Sequence, residues 1–359
     1  MKLPQHGANP DYVYKAMAIK QPEDLLDFSM NVNPAGPPAS ILECWTDWLP
    51  AVNDYPDPEG RELIEDISLQ EGLSTSQIML GNGAAELIQL LASSLQGKRV
   101  LLIQPTFSEY ERMCRAFDCE ITHFVLEGVN EWQLELSDLE PLLATHDAIF
   151  FCHPNNPTGV ISSEQSLVAL LSACSQHNCL LIVDEAFYDF MDRPFTMASQ
   201  LPGQDHLVVL RSLTKMYAIA GLRLGYLLAS PRMIQHLKKR QSHWSVNAIA
   251  LLSGLQCLRA TDFAAQTRME CTIERNRMLE KLTSYGYRIS KSHVNYYLLQ
   301  DTQLDDQYPL YVHLLKQGIV PRHTYNYKGL AGRWLRFAIR DTADNDVLLE
   351  ALQRWKQEN

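Results

Sequence analysis

RSLTKMYAIAGLRLGY, residues 211–226, places Lys215 and an inner arginine, Arg223, among small and apolar residues. The apolar run HLVVL precedes it and LGYLLAS completes it. A solvating lysine keeps polar company on an amphipathic face, so Lys215 is expected to point inward, toward a site at the end of a strand. Outward from this stretch, apolar runs of strand length alternate with helical patterns: RVLLIQP then SEYERMCRAF, DAIFFCHP then SLVALLSACSQHN, then CLLIVDEAF, HLVVLRS and RLGYLLAS. Short apolar strands separated by helices imply a mostly parallel sheet covered on both faces, an α/β lobe.

Beyond Pro231 the pattern changes. A helical stretch from about Met233 to Leu282, broken near WSVN, is followed by YYLLQ, a helix around YVHLLKQG, WLRFAIR and a closing helix DVLLEALQRWKQ. The expected organisation is an N-terminal segment (1–48) rich in proline and loop residues, a large α/β domain (49–231) and a smaller α+β domain (232–359). With 359 residues, 46% of them hydrophobic, the chain has enough apolar surface for two lobes.

Charge and cysteine usage narrow the function. The net charge is −11 and no lysine or arginine run interleaves with aromatics, which argues against nucleic acid. No stretch approaches the ~20 apolar residues of a membrane span and MKLPQHGANPDY lacks an apolar leader core, so a cytoplasmic protein is expected. Eight scattered cysteines without a CxxC read as reduced, mostly buried thiols, with no metal site. A small-molecule site is the expectation that remains.

Four polar stretches end apolar runs, where open α/β sheets bind ligands: GNGAAE from Gly81, HPNNPTG from His153, VDEAFYDF from Val183, and SLTK from Ser212. Asp184, after CLLIV, is expected to be a buried carboxylate in need of a cationic partner, such as a protonated ring nitrogen. Lys215 has the features of a desolvated amine that attacks an aldehyde, and Arg223 those of a phosphate-pairing guanidinium. Small residues open the helix at GNGAAELIQLLASSL, leaving backbone N–H groups for an anion, with Ser212 and Thr214 as hydroxyl donors. Taken singly, each has an ordinary reading: a snorkelling lysine, a turn glycine, a structural ion pair. In one order, each after a strand, they describe a pyridoxal phosphate site.

NNPTG, DEAF and SLTKxYAIxGLRLGY together resemble the fold type I pyridoxal-phosphate enzymes of the class I/II aminotransferase superfamily, over nearly the whole chain. Within it, HGAN from His6, DFSMNVNPAGPP from Asp27 and HWSVNA from His243 look like the threonine-phosphate decarboxylase branch of cobalamin synthesis. The resemblance implies that Lys215 bonds the cofactor aldehyde, Asp184 pairs with the pyridine nitrogen, Asn156 meets the ring 3-oxygen and Phe107 stacks on the ring. It assigns the cofactor phosphate to Gly83, Ala84, Ser212, Thr214 and Arg223. The phosphorylated amino-acid substrate falls to Arg336 and Arg322, with His6 and Asn31 near its phosphate. Tyr55 would reach the neighbouring subunit's site in a homodimer.

Two positions depart from the aminotransferase pattern. Phe187 stands where those enzymes generally carry tyrosine, as in the decarboxylases, and Ala84-Ala85 replaces a polar side chain, so the phosphate cup relies on backbone N–H groups. The implied reaction is loss of CO2 from L-threonine O-3-phosphate to give (R)-1-amino-2-propanol O-2-phosphate. Histidinol-phosphate-type transamination and decarboxylation of serine phosphate are the alternatives, the latter differing by one methyl worth about 1–3 kcal/mol. A non-catalytic binder is the alternative of another class; intact Lys215, Asp184 and Asn156 argue against it.

Overall fold

The computed structural model describes residues 3–5 and 7–359. Its larger sheet has seven strands: β1 (Ile78–Gly81), β2 (Arg99–Gln104), β3 (Glu120–Val125), β4 (Ala148–Cys152), β5 (Leu180–Asp184), β6 (Leu207–Ser212) and β7 (Gly225–Ala229). They lie in the order β1-β7-β6-β5-β4-β2-β3. β2 to β6 run parallel, and β7 is antiparallel to both β6 and β1. The apolar runs read from the sequence are therefore strands of one mostly parallel sheet; β1 is the run that GNGAAE ends, and β3 is added by the structure. The strand order reverses between β2 and β4, the kind of switch point at which ligands bind beyond the carboxyl ends of strands.

β4, β5, β6 and β7 are buried along their whole length, as strands covered on both faces must be. On one face Leu101, Ile149, Leu181 and Val209 pack into a core that also takes Leu63, Leu167 and Ala250. On the other, Leu102, Phe150, Ile182 and Val208 pack with Leu87, Leu91 and Tyr110.

A four-stranded antiparallel sheet, in the order Arg322–His323, Leu335–Ala338, Tyr296–Gln300, Arg288–Ile289, centres a second core with Met278, Tyr311, Leu348 and Trp355. The helical stretch after Pro231 breaks twice. The first break runs over residues 239–247, which include WSVN, and the second falls at Ala260, whose φ −84 and ψ 51 lie outside the helical region, giving helices Pro231–Lys238, Ala248–Arg259 and Thr261–Ser284. The N-terminal segment spans both cores. Helix Pro10–Met17 sends Val13, Tyr14 and Met17 into the second core and Leu26–Asp27 pairs with Ile319–Val320, whereas Ile41 lies in the first.

Candidate active site

The strand ends set the floor of the site. Asp184 closes β5 opposite Cys152 of β4, and its side chain is buried. The Tyr110 hydroxyl donates to Asp184 Oδ2 at 2.5 Å, and the Ala186 N–H donates to Oδ1 at 2.9 Å. Burial pushes the Asp184 carboxyl above its usual range, while these two hydrogen bonds and the charge of Lys215 hold it down. Burial and the Asp184 charge keep Tyr110 protonated far above its usual range, so its hydroxyl stays a donor.

Lys215 follows β6 in a turn. Burial, then the charges of Arg223 and Arg336, lower its amine to about 8, against the pull of Asp184. An amine held there is still mostly protonated at physiological pH, but its neutral, nucleophilic fraction is far larger than that of an ordinary lysine.

The phosphate cup is a matter of close approach. Gly83, at φ +75°, opens helix Gly83–Ser94, and a Cβ there would stand 2.5 Å from Nη2 of Arg223. A Cβ on Gly225 of β7 would stand 2.9 Å from the Ala84 nitrogen, so that glycine lets the helix start settle on the sheet. Arg223 itself has φ 63, an uncommon backbone for arginine that the surrounding structure must enforce. Asn82 makes no side-chain cap, which leaves the first N–H groups of the helix without that partner. Ser212 Oγ and Thr214 Oγ1 pair at 2.8 Å beside them. Glycine, hydroxyls, a helix start and a guanidinium form the donor set a phosphate needs.

The opposite wall comes from elsewhere. Arg336, on strand Leu335–Ala338, donates through Nη1 to Asn156 Oδ1 and through Nη2 to the Ser29 carbonyl at 2.9 Å; its buried Nε has no partner among the described residues. Asn31 is likewise buried with its Oδ1 unpartnered. Arg322 donates from Nη2 to the carbonyl of Gln5 and to Asn326 Oδ1 at 2.7 Å, and from Nη1 to its neighbour's carbonyl, His323 O, at 2.8 Å. It thereby pins the N-terminal segment beside the cavity.

These walls enclose a cavity of about 260 Å³. It is lined by Asn31, Ala84, Phe107, Asn156, Asp184, Ser212, Thr214, Lys215, Arg223, Arg322 and Arg336 from the sequence reading. Gly83 sits directly behind Arg223. Two residues stand apart from this group. His6 lies outside the described residues. Tyr55 is not at its own chain's cavity; it is 82% exposed, with its ring 4.8 Å from that of Trp244.

Sequence reasoning missed Tyr110, the hydrogen-bond partner of Asp184. The signal was there: it lies three residues after Phe107, one helical turn, and the two rings meet edge to face at 5.8 Å. It also missed Ser29 and Tyr327, which flank Arg336. Phe187 lines the cavity with its ring edge-on to Tyr296 at 4.8 Å, so the position carries no hydroxyl toward the site.

Chemically, one buried carboxylate faces four cationic side chains, Lys215, Arg223, Arg322 and Arg336. In a chain of net charge −11 this is a cavity for several anionic groups. Among the described residues no cluster of histidine, cysteine, aspartate or glutamate is placed to hold a metal ion, and no helix is long and apolar enough to cross a membrane.

The family model for aminotransferase class I and II matches residues 23–352. A threonine-phosphate decarboxylase of Salmonella typhimurium is 37% identical over 97% of this chain and 95% of its own length. The adenosylcobalamin biosynthesis bifunctional protein CobDQ of Leptospira interrogans is 27% identical over 98% of this chain, which spans 41% of that longer protein. Among solved structures, the histidinol-phosphate aminotransferase of Clostridium acetobutylicum superposes with a TM-score of 0.88 at 28% identity, over 93% of this chain and 100% of its own.

Proposed function

Because the chain belongs to the class I and II aminotransferase family, we propose that it is a pyridoxal-phosphate-dependent decarboxylase. It converts L-threonine O-3-phosphate to (R)-1-amino-2-propanol O-2-phosphate and CO2, a step of cobalamin synthesis. The observation that carries this reading is the 37% identity to a threonine-phosphate decarboxylase across nearly the whole of both chains. Phe187 supports it, since the cavity lacks the tyrosine hydroxyl that aminotransferases generally place there.

The residues present fit the cofactor. The close approach of Arg223 to Gly83, the hydroxyl pair of Ser212 and Thr214, and the helix start at Gly83 suit its phosphate. Asp184, buried and oriented by Tyr110, suits a protonated ring nitrogen. Phe107 would stack on the ring and Asn156, steadied by Arg336, would meet the ring oxygen. When bound, the cofactor supplies an electron sink for the pair released at the α-carbon as the bond to the carboxylate breaks.

The chain's own residues do the rest. Lys215 Nζ, lowered to about 8, gives up a proton to become a nucleophile and later returns one to the α-carbon. Arg336, with Nε unpartnered, and Asn31 face the space the substrate's anionic groups enter. Arg322, with Gln5, Gly7 and Ala8 beside it, closes the same side against water. Anchoring at one end sets which α-carbon bond stands across the ring plane, so orientation selects decarboxylation over transamination.

We further propose a homodimer. Tyr55 lies against Trp244 at the surface, and Trp45, Leu49 and Val52, close to Tyr55 in the chain, are exposed as well; a second copy covering these side chains would receive Tyr55 at its own site. Eight free thiols suit a reducing compartment, the cytoplasm.

The test incubates cofactor-loaded protein with L-threonine O-3-phosphate and no keto acid, following CO2 and aminopropanol phosphate. Steady release is expected. Absence of release, with glutamate formed from histidinol phosphate and 2-oxoglutarate, would replace this reading with transamination.

A further inference from the structure

Lys215 has weak local support for so central a group. It sits in the turn after β6, outside both the strand ladder and any helix. Within that turn its carbonyl receives only a long hydrogen bond, from Ala218 N at 3.4 Å. The firmer restraint comes from Asn33, nearly two hundred residues earlier in the chain. Asn33 N donates to Lys215 O at 3.0 Å, and Asn33 Nδ2 donates to Met216 O at 2.9 Å. One residue thus holds two successive carbonyls, those of the Lys215–Met216 and Met216–Tyr217 peptides, and so restrains the backbone from which the lysine side chain leaves.

Asn33 is itself well anchored. It is buried at 5% exposure, its Oδ1 accepts from Ala35 N at 3.0 Å, and Nδ2 also reaches Thr267 Oγ1 at 3.1 Å on helix Thr261–Ser284. The same short segment carries the substrate wall. Ser29 O takes the Arg336 guanidinium, Asn31 lines the cavity, and Asn33 grips the lysine turn. Asn31 and Asn33 are buried while Val32 between them is half-buried, so both amides face inward.

We propose that Asn33 is a positioning residue for Lys215, holding the lysine turn in register with the anion-binding wall through its side-chain donor to Met216. This rests on the reading of Lys215 as the cofactor-bonding amine. A misplacement of about 1 Å at a reacting group is worth on the order of 100-fold in rate. Asn33→Ala keeps the backbone bond to Lys215, so a smaller loss follows, about 10-fold in kcat with KM for L-threonine O-3-phosphate changed by less than about 3-fold.

The experiment compares wild type, Asn33→Ala, Asn33→Asp and Thr267→Val. Asn33→Asp keeps the acceptor for Ala35 and loses the donor, so it carries the test if Asn33→Ala does not fold. Thr267→Val removes only the helix contact. Two quantities are read: kcat against KM, and the fraction of Lys215 found joined to cofactor by mass spectrometry after borohydride reduction at a limiting cofactor concentration. Lower kcat and a lower joined fraction in both Asn33 variants, with Thr267→Val near wild type, are expected. Wild-type kcat and joined fraction in a folded Asn33→Asp, whatever its melting temperature, would overturn the proposal. Reduction that joins no cofactor to Lys215 in the wild type would instead remove the reading beneath it.

Discussion

Asp184 and Arg336 face one cavity, yet their supports differ in kind. Asp184 is held by the strand it ends, by Ala186 two residues on and by Tyr110 on the helix packed behind it. Arg336 is held by Asn156 from the loop after β4, by Ser29 from the N-terminal segment and more distantly by Tyr327. On the floor two side-chain pairs are made, Asp184 with Tyr110 and Ser212 with Thr214. The wall leaves Asn31 Oδ1 and Arg336 Nε buried without partners. Buried polar atoms left unpaired cost free energy, so a ligand that pairs with the wall is favoured there, while on the floor the uncapped start of helix Gly83–Ser94 is what a ligand would complete. The proposed function puts the cofactor on the floor and the substrate at the wall.

The largest effect expected from this contrast is at Arg336. Arg336→Ala should raise KM for the substrate by about 100-fold, the scale for truncating a buried charged partner. The cofactor should still bind. Loss of cofactor along with substrate would mean that floor and wall are one unit.

Tyr110→Phe should act the other way. It removes one hydrogen bond to a buried carboxylate, which lets the Asp184 carboxyl rise further and weakens its hold on a protonated ring by about 10-fold. Spectroscopic titration of apoprotein with cofactor measures this, and substrate KM at saturating cofactor should not move.

The smallest effect concerns Lys215 itself, which feels both regions. In the apoprotein, amine labelling of Lys215 should rise through a midpoint near pH 8 rather than the ordinary 10.5. Asp184→Asn should move that midpoint down, because the carboxylate raises it; Arg336→Ala should move it up, because the guanidinium lowers it. Linkage gives the same sign in stability. Between about 8 and 10.5 the unfolded chain binds a proton that the folded one does not, so the contribution of Lys215 to apoprotein stability increases with pH across that window.

The floor was legible in the sequence because each part of it follows an apolar strand: NNPTG after β4, DEAF after β5, SLTK after β6. Strand ends on one side of a parallel sheet meet in space, so adjacency could be argued from pattern alone. The wall was not legible that way. Ser29, Asn31, Arg322 and Arg336 are brought together by Leu26–Asp27 pairing with Ile319–Val320 and by Arg322–His323 pairing with Leu335–Ala338, and three of these four strands have two residues, too short to leave a periodic signal. Asn31, Arg322 and Arg336 were reached through resemblance, and Ser29 was missed. Tyr110 fell between the two cases, on a helix whose inward face was readable while its partner across the sheet was not. Asn33 was quoted within a motif, yet nothing local reveals that its amide serves a turn so far along the chain.

The cavity lies where the two hydrophobic cores come together, Asp184 and Lys215 on the side of one, Arg322 and Arg336 on the side of the other. A molecule that touches both acts as a cross-brace. Part of its affinity is spent resisting separation of the cores, so the occupied protein shares mechanical load that the two cores otherwise carry one at a time, and occupancy becomes a contributor to the stiffness of the whole chain.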